Sequence, residues 1–367
     1  MDYFQFSILP HSIIKILWLI DHKSEILLYR VKMNRDMYKN KKIMITGGTG
    51  SLGQSLTKLL LKTDVETIRI YSRNEHNQIM MEEEFDDDRL RFFIGDVRDL
   101  PRLTRACEDV DIMFHAAALK HVPVVEYNPF EGIKTNVIGS QNVIEACIAQ
   151  DVDIAVGVST DKSVAPLNTY GATKLLMEKI FTTANNFVNP EKHKTKFIAL
   201  RYGNVLGSSG SVLPKFIRQI KNNEKVTITD PNMTRFSITM DEALEFITNA
   251  AQMGKGSEIF VPKLRAYTIT DLKNAIMDIV GNTGERKIPI RPGEKIHETL
   301  IDGDEIRNTY ELGTNYVIVN PLLKEEIIKK RYPNWKKVTT EQSYSSGLAE
   351  KIPKEELKEI IKKTDLI

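Results

Sequence analysis

The sequence predicts an α/β protein with a doubly wound parallel sheet and a smaller C-terminal substrate-binding domain. Short apolar runs alternate with helix-like segments from Lys41 onward, an order typical of right-handed βαβ units. A glycine-rich turn directly follows the first apolar run, and the alternation loosens after about Asn204. We therefore expect a first domain over 41–205 and a second over 206–367, partly interleaved with it.

Six apolar runs predict the buried strands of the first domain: KIMITG, TIRIYS, LRFFIGD, VDIMFHAAA, DIAVGVST and FIALRYGN. The segments SLGQSLTKLLLK and NVIGSQNVIEACIAQ between them have helical periodicity. Later elements are shorter, such as VTITD, EIFVP and TITDLKNAIMDIV. We expect them to cap the crevice at the carboxyl ends of the strands, where such folds bind ligands.

We expect residues 1–40 to form an N-terminal extension outside the core. Their apolar run SIIKILWLI is too short to span a bilayer and is interrupted by Lys15. The run lacks the small-residue cleavage site of a secretory signal. We expect a cytoplasmic protein without a stable membrane span, the alternative for this run being an interfacial amphipathic helix.

Composition excludes several classes of function. A formal net charge of +2 over 367 residues gives no electrostatic reason to expect a nucleic-acid partner. The two cysteines, Cys107 and Cys147, are read as isolated, small buried apolar residues of a reducing compartment. Without a metal-ligand spacing around them, we expect neither a zinc site nor any other metal.

The glycine turn predicts a dinucleotide site of the Rossmann type. Gly47, Gly50 and Gly53 follow the first strand and open the first helix, so the backbone can approach a pyrophosphate at the helix N-terminus. The second strand ends in Ser72 and Arg73, a hydroxyl and a cation that suit the 2′-phosphate of NADP. NAD is less expected, because an acidic residue usually closes this strand in NAD sites; Glu75 lies nearby.

Two residue pairs around the fifth strand predict chemistry beside that cofactor. Tyr170 and Lys174 lie four residues apart on one predicted helix face, where a cation would favour the phenolate and let Tyr170 take a hydroxyl proton during oxidation. Asp161 and Lys162 end the preceding strand. They fit an acid and a base for eliminating water from an oxidised sugar, or equally a strand-end salt bridge or helix cap.

Together these motifs resemble the extended short-chain dehydrogenase/reductase family, specifically its inverting UDP-N-acetylglucosamine 4,6-dehydratases of the pseudaminic acid pathway. The similarity runs from about Lys41 to Lys362. The motifs that carry it are ITGGTGSLG, YSRNE, RFFIGDVRDL, HAAALKHVPVVEYNP, STDKSVAPLNTYGATKL, RYGNVLGSSGSV, MTRFSIT and RPGEKIHE.

The resemblance implies that NADP stays bound while the sugar is oxidised at C4, dehydrated, inverted at C5 and reduced at C6. It implies oxidation by Tyr170 and Lys174, with Thr160 polarising the C4 oxygen, and elimination by Asp161 as acid and Lys162 as base. Implied cofactor contacts are Gly47, Gly50, Ser51, Leu52, Gly53, Ser72, Arg73, Asp96, Val97, Ala116, Ala117, Ala118, Tyr170 and Lys174. Implied contacts to the UDP-sugar are Lys120, Asn204, Val212, Arg235, Arg291 and Glu294.

Alternatives remain at this point, and one position departs from the family. A retaining 4,6-dehydratase differs mainly in the face of C5 that is reprotonated, whereas a UDP-sugar 4-epimerase needs no Asp161–Lys162 pair. Ser209 stands where the family has an arginine, which removes one cation near the nucleotide-sugar. His121 is a pocket or loop residue, and His115 is expected in the core. A homo-oligomer is expected by resemblance.

Overall fold

The computed structural model describes residues 35–189, 191–208, 210–340, 342–364 and 366–367. The SIIKILWLI run and Ser209 lie outside these residues. Within the described ranges, no helix combines the length and apolar character needed to cross a membrane.

The elements bear our own labels in chain order. The helices are α1 (Ser51–Leu60), α2 (Glu75–Phe85), α3 (Leu100–Ala106), α4 (Val122–Tyr127), α5 (Pro129–Ile133), α6 (Gly139–Ala149), α7 (Thr169–Ala184), α8 (Val212–Lys221), α9 (Met240–Met253), α10 (Ile269–Val280), α11 (Gly303–Ile306), α12 (Glu325–Arg331) and α13 (Lys354–Lys362). The 3₁₀ turns are Arg35–Tyr38 and Asp161–Ser163, and Lys134–Ile138 is π-helical.

The strands are β1 (Lys42–Thr46), β2 (Thr67–Ser72), β3 (Leu90–Ile94), β4 (Ile112–His115), β5 (Ile154–Val158), β6 (Lys196–Leu200), β7 (Asn204–Val205), β8 (Val226–Ile228), β9 (Thr234–Ile238), β10 (Glu258–Pro262), β11 (Ala266–Thr268), β12 (Glu285–Lys287), β13 (Thr299–Ile301), β14 (Thr309–Leu312), β15 (Asn315–Val319), β16 (Lys336–Lys337) and β17 (Tyr344–Ser345).

A twisted sheet at the centre confirms the predicted fold class. Its strand order is β16-β14-β15-β10-β6-β5-β4-β1-β2-β3, and all neighbours from β3 to β10 pair in parallel. The six strands predicted for the first domain are β1 to β6. The strand order reverses between β1 and β4, and this switch point is where doubly wound sheets bind ligands.

Strand β1 shows why the apolar runs form a sheet that is buried on both faces. Ile43 and Ile45 pack into the core on one face, and Met44 between them packs into the core on the other. Successive side chains of a strand point to opposite faces, so a parallel strand with helices on both sides must be apolar throughout.

The C-terminal half contributes to the same sheet and also builds a core of its own. Strand β10 extends the parallel sheet beside β6, and β15 and β14 add antiparallel strands beyond it. Helices α8, α10 and α13 enclose a separate apolar cluster. The domain boundaries stay predictions, but Tyr38 is already buried in the first core and donates to the Thr248 carbonyl. The fold therefore includes residues before 41.

The cysteines are buried and free, as expected, but the prediction that they are isolated is wrong. Cys107 and Cys147 are neighbours, and Cys107 Sγ lies 3.6 Å from Met44 Sδ. Burial, followed by the contact with Cys107, raises the pKa of the Cys147 thiol. The Cys147 thiol therefore stays protonated inside the core.

Candidate active site

A cavity of about 850 Å³ lies at the carboxyl ends of the central strands. One side consists of the glycine turn after β1, the ends of β4 and β5, and the start of α7. The other side consists of residues from segments 202–208, 210–216 and 288–298 of the C-terminal half. Since ligand cavities usually measure about 300–1,000 Å³, this one has room for a substantial ligand.

The glycine turn is shaped for an anionic ligand. Gly47 has φ +69°, and a Cβ atom there would lie 2.9 Å from the backbone of Ala117. Only glycine fits this close approach without strain. Helix α1 begins after Gly50 without a side-chain cap, so its first N–H groups remain available to a phosphate. These features fit the diphosphate of a dinucleotide.

The end of β2 places a cation at the rim of the cavity. The Arg73 side chain is 54% exposed, and its Nη1 lies 3.8 Å from Asp96 Oδ2. Ser72 is buried and its hydroxyl accepts a hydrogen bond from Gln78. Burial alone would raise the pKa of Asp96, but hydrogen bonds from Arg98 lower it. Arg73 therefore presents a largely solvent-facing guanidinium at the position predicted to distinguish the cofactors.

Asn136 supports the cavity wall formed by residues 116–120. This asparagine is fully buried in the π-helical segment. Its side chain accepts from the Leu119 N–H at 2.8 Å and donates to the Leu119 carbonyl at 2.9 Å and to Thr173 at 3.0 Å. Sequence reasoning missed Asn136, because nothing in the surrounding GIKTNVIG stretch distinguishes a buried amide from an exposed one.

Helix α7 brings Tyr170 and Lys174 to the cavity, where both are more than nine-tenths buried. The helix begins at Asn168, whose side chain accepts from the Gly171 N–H at 2.8 Å, as expected of an N-cap. A Cβ atom on Gly171 would overlap the carbonyl oxygen of Lys162. The glycine in Tyr-Gly-Ala-Thr-Lys therefore lets α7 pack tightly against the turn that carries Lys162.

The protonation of Tyr170 and Lys174 differs from the expected cation-stabilised phenolate. Burial raises the pKa of Tyr170 to about 12, against the opposing effect of the Lys162 charge. Burial lowers the pKa of Lys174 to about 8, although Glu178 opposes this. Lys162, rather than Lys174, is the cation that lowers the Tyr170 pKa, and desolvation outweighs it.

Lys162 lies in the 3₁₀ turn after β5, and its ammonium faces three oxygen-bearing side chains. Lys162 Nζ donates to Asp161 Oδ1 at 2.8 Å and to Asn204 Oδ1 at 3.2 Å, and it lies 3.9 Å from Glu298 Oε1. Burial would lower the pKa of Lys162, but the charges of Asp161 and Glu298 raise it above its ordinary value. This is opposite to the lowered pKa expected for a catalytic base.

Asp161 is the one predicted site residue that does not line the cavity. It is fully buried, its Oδ1 also accepts from the Thr160 hydroxyl at 2.9 Å, and none of the described residues hydrogen-bonds its Oδ2. The other predicted residues line the cavity: Gly47, Gly50, Ser51, Leu52, Gly53, Ser72, Arg73, Asp96, Val97, Ala116, Ala117, Ala118, Lys120, Thr160, Lys162, Tyr170, Lys174, Asn204, Val212, Arg235, Arg291 and Glu294.

Arg235 leads to a carboxylate that sequence reasoning left unassigned. The Arg235 guanidinium lies 3.5 Å from Glu294 Oε1 and 3.8 Å from Glu298 Oε1. Glu298 is 3% exposed and lines the cavity. Its position at the end of the RPGEKIHE motif was visible in the sequence, but its proximity to Lys162 depends on the tertiary fold.

A buried ionic cluster behind the cavity supports the Lys162 turn. The fully buried Arg201 binds Glu178 on α7 and Glu305 on α11, at 2.6 and 2.7 Å. Glu178 also accepts from the Ser163 hydroxyl at 2.7 Å, next to Lys162. The cluster therefore joins the turn, α7 and the C-terminal half.

His115 is buried between Thr46 and Ser140, which confirms it as a core residue.

Two curated relatives are similar to the chain over most of its length. The UDP-N-acetylglucosamine 4,6-dehydratase (inverting) of Campylobacter jejuni is 46% identical over 290 residues, 78% of this chain and 85% of that protein. The UDP-glucose 4-epimerase of Rickettsia felis is 38% identical over 338 residues, 90% of this chain and 98% of that protein.

Solved structures agree with the fold. Pen from Bacillus thuringiensis is 39% identical, with a TM-score of 0.82 over 90% of this chain and 99% of that one. DesIV from Streptomyces venezuelae, a dTDP-glucose 4,6-dehydratase with NAD and TYD bound, is 22% identical. Its TM-score of 0.64, over 78% of this chain and 94% of that one, shows the fold alone.

The family model described as polysaccharide biosynthesis protein matches residues 43–320. This range covers the glycine turn, the Lys162 turn, helix α7 and the C-terminal wall of the cavity. Since the match spans most of the chain and includes the whole cavity wall, the protein belongs to the family of polysaccharide biosynthesis proteins.

Proposed function

We propose that the protein dehydrates UDP-N-acetylglucosamine at C4 and C6 and inverts C5, giving UDP-2-acetamido-2,6-dideoxy-β-L-arabino-hex-4-ulose. The observation that carries this proposal is that Tyr170 and Lys174 line the same cavity as Lys162, with Asp161 directly behind it. The residues proposed for oxidation and those proposed for elimination can therefore act on the same bound substrate. The 46% identity to the Campylobacter jejuni dehydratase supports the same reaction.

A nicotinamide dinucleotide in the glycine turn would supply the hydride acceptor and donor. Tyr170 is assigned the proton of the C4 hydroxyl, and Thr160 polarises the C4 oxygen. Lys174 holds the cofactor ribose. We propose NADP rather than NAD because Arg73 presents an exposed guanidinium at the cavity rim. Denaturing the purified protein and assaying the released nucleotide distinguishes the two, and a stoichiometric yield of NAD would contradict this choice.

Elimination then uses the Lys162 turn. Lys162 accepts the C5 proton that the new C4 ketone has acidified, and the departing C6 hydroxyl receives a proton. Asp161 does not line the cavity. It would take its proton from the Lys162 ammonium, to which it is hydrogen-bonded at 2.8 Å and which thereby becomes the neutral base, and pass it to the C6 oxygen through the Thr160 hydroxyl on the wall. Return of a proton to the opposite face of C5 inverts that centre.

The C-terminal wall is proposed to hold the UDP moiety. Arg235 and Arg291 offer guanidinium groups for the diphosphate, Asn204 an amide and Glu294 an acceptor for a ribose hydroxyl. Lys120 and Val212 are assigned to the part of the cavity that holds the sugar. UDP alone should therefore compete with the substrate, as measured by inhibition of turnover.

Proton NMR in deuterated water tests the function directly. Purified protein is incubated with UDP-N-acetylglucosamine and no added cofactor. The proposal predicts a 6-deoxy-4-keto sugar with deuterium at C5 and ring couplings of the inverted configuration. Couplings of the uninverted ring would assign the retaining reaction instead.

A UDP-sugar 4-epimerase is the second candidate, since the Rickettsia felis relative with that name is similar over 90% of this chain. An epimerase has no use for a charged elimination turn beside Tyr170. In the same NMR experiment it would give a C4 epimer without a methyl signal. That outcome would replace the dehydratase proposal.

We also propose a cytoplasmic homo-oligomer that acts in the pseudaminic acid pathway, as the family resemblance implies. Large apolar side chains are exposed on the adjoining helices α4, α5 and α7: Val124, Tyr127, Phe130 and Leu176. Exposed apolar groups clustered in this way mark association surfaces. Light scattering of the purified protein tests the assembly, and a monomer at micromolar concentration would contradict it.

A further inference from the structure

The loop between β12 and β13, residues 288–298, carries two of the groups proposed to bind UDP, Arg291 and Glu294. The two residues are joined by a turn, in which the Glu294 N–H donates to the Arg291 carbonyl at 3.1 Å. Gly293 within this turn has φ +76°, and Arg291 is exposed. Exposed loops with few buried contacts open easily. This loop therefore needs support from a neighbouring element if its ligand groups are to keep one position.

Segment 164–168, which leads into α7, holds the loop at two points. Asn168 Nδ2 donates to the Gly293 carbonyl at 3.0 Å, and the Lys295 ammonium donates to the Val164 carbonyl. The two backbones are also in close contact, because a Cβ atom on Gly293 would lie 2.8 Å from Asn168 Cβ. The loop is therefore packed directly against the start of α7.

The two ends of the Asn168 amide bind different elements. Oδ1 accepts from the Gly171 N–H at 2.8 Å and so caps α7, whereas Nδ2 binds the loop through Gly293. A backbone N–H needs an acceptor and a carbonyl needs a donor, so these partners fix which end of the amide is the oxygen. The side chain is buried and lines the cavity. A side chain with only one kind of hydrogen-bonding group could not make both contacts.

We propose that Asn168 holds the loop of Arg291 and Glu294 in the position that binds UDP. Asn168 acts through the loop, as a positioning residue that sets the affinity for the nucleotide part of the substrate. A loop that is already ordered loses less conformational freedom when its ligand binds, and the ligand therefore binds more tightly. The same amide fixes the loop relative to α7, whose Tyr170 and Lys174 are proposed to act on the sugar. The inference rests on the proposed function, which assigns UDP to this loop.

The variant Asn168→Asp separates the two hydrogen bonds. A carboxylate still accepts from the Gly171 N–H, and aspartate caps helices as well as asparagine does, but it cannot donate to the Gly293 carbonyl. We expect the dissociation constant of UDP, measured by isothermal titration calorimetry, to rise about tenfold, because a buried hydrogen bond is replaced by two facing oxygens. The KM for UDP-N-acetylglucosamine should rise equally. Saturating substrate still orders the loop, so kcat should change less than threefold, and the urea midpoint should be unchanged.

A second variant distinguishes loss of the contact from repulsion between the new carboxylate and the diphosphate. Gly293→Ala disturbs the same contact from the loop side without adding charge. Since both changes break one contact, the double variant should bind UDP no more weakly than the weaker single variant. Gly284→Ala is the matched control, because Gly284 also has φ +76° but no atom lies within 4 Å of its Cβ position among the described residues. This control should bind UDP as the wild type does.

Three outcomes overturn the inference. The first is wild-type affinity for UDP in Asn168→Asp, which would leave Asn168 as a helix cap alone. The second is additive losses in the double variant. The third is equal affinity of Gly293→Ala and Gly284→Ala, a comparison that holds even if Asn168→Asp does not fold. Wild-type protein that binds UDP but forms no 6-deoxy-4-keto product refutes the proposed function, while the binding measurements still decide the inference. Wild-type protein that does not bind UDP refutes both.

Discussion

Replacing Arg201 with methionine should destabilise the protein severely. The guanidinium makes five hydrogen bonds, two to Glu178, two to Glu305 and one to the Leu300 carbonyl. Among the residues that the structure describes, the variant leaves the fully buried Glu178 carboxylate with the Ser163 hydroxyl as its only hydrogen-bond partner. Breaking a buried ion pair in this way costs about 3–5 kcal/mol.

Urea denaturation at neutral pH measures this cost, and turnover measures its effect on the site. We also expect a lower kcat, because Ser163 is bound to Glu178 and adjoins Lys162. Arg307→Met is the matched control, since its side chain is 75% exposed and pairs with the exposed Asp304; such pairs contribute little. Equal stability of the two variants would refute the reasoning.

Three further outcomes are expected. Gly47→Ala should lose bound nucleotide, because its Cβ would meet the Ala117 backbone 2.9 Å away; full nucleotide recovery from denatured protein would contradict this. Lys162→Ala should retain nucleotide but lose dehydration, and unaltered turnover would remove Lys162 as the base. Burial, then the Lys174 charge, lowers the pKa of His115 to about 3. Because unfolded protein binds the extra proton, wild-type stability should fall relative to His115→Gln by about 1.4 kcal/mol per pH unit below pH 6.5; parallel denaturation curves would exclude this.

Local patterns were sufficient for most of the fold. Each of the first six strands is a short apolar run. The glycines after β1 predict a close backbone approach, and in the structure Gly47 lies against the backbone of Ala117. Tyr170 and Lys174 could be paired from spacing alone, because residues four apart share a helix face. These inferences depend only on neighbours in the chain.

Properties that depend on distant neighbours could not be predicted. Burial would lower the pKa of Lys162, and the charge of Asp161 next to it raises the pKa; Glu298, from the far end of the chain, adds a second raising charge that the sequence does not show. The burial of Asp161 behind the cavity wall depends on how α7 packs over the turn. Arg201, which binds Glu178 and Glu305, likewise has the sequence context of an ordinary strand residue in FIALRYGN.

The position of β10 has a consequence for how the protein can be divided. This strand comes from the C-terminal half yet pairs in parallel with β6, between the cofactor-side strands and the antiparallel β15. A fragment ending at residue 205 would expose the edge of β6, whose Phe197–Leu200 stretch is wholly buried, and unpaired apolar edges recruit other chains. The two halves of the sequence are therefore not separable modules, and an excised dinucleotide domain should aggregate instead of folding.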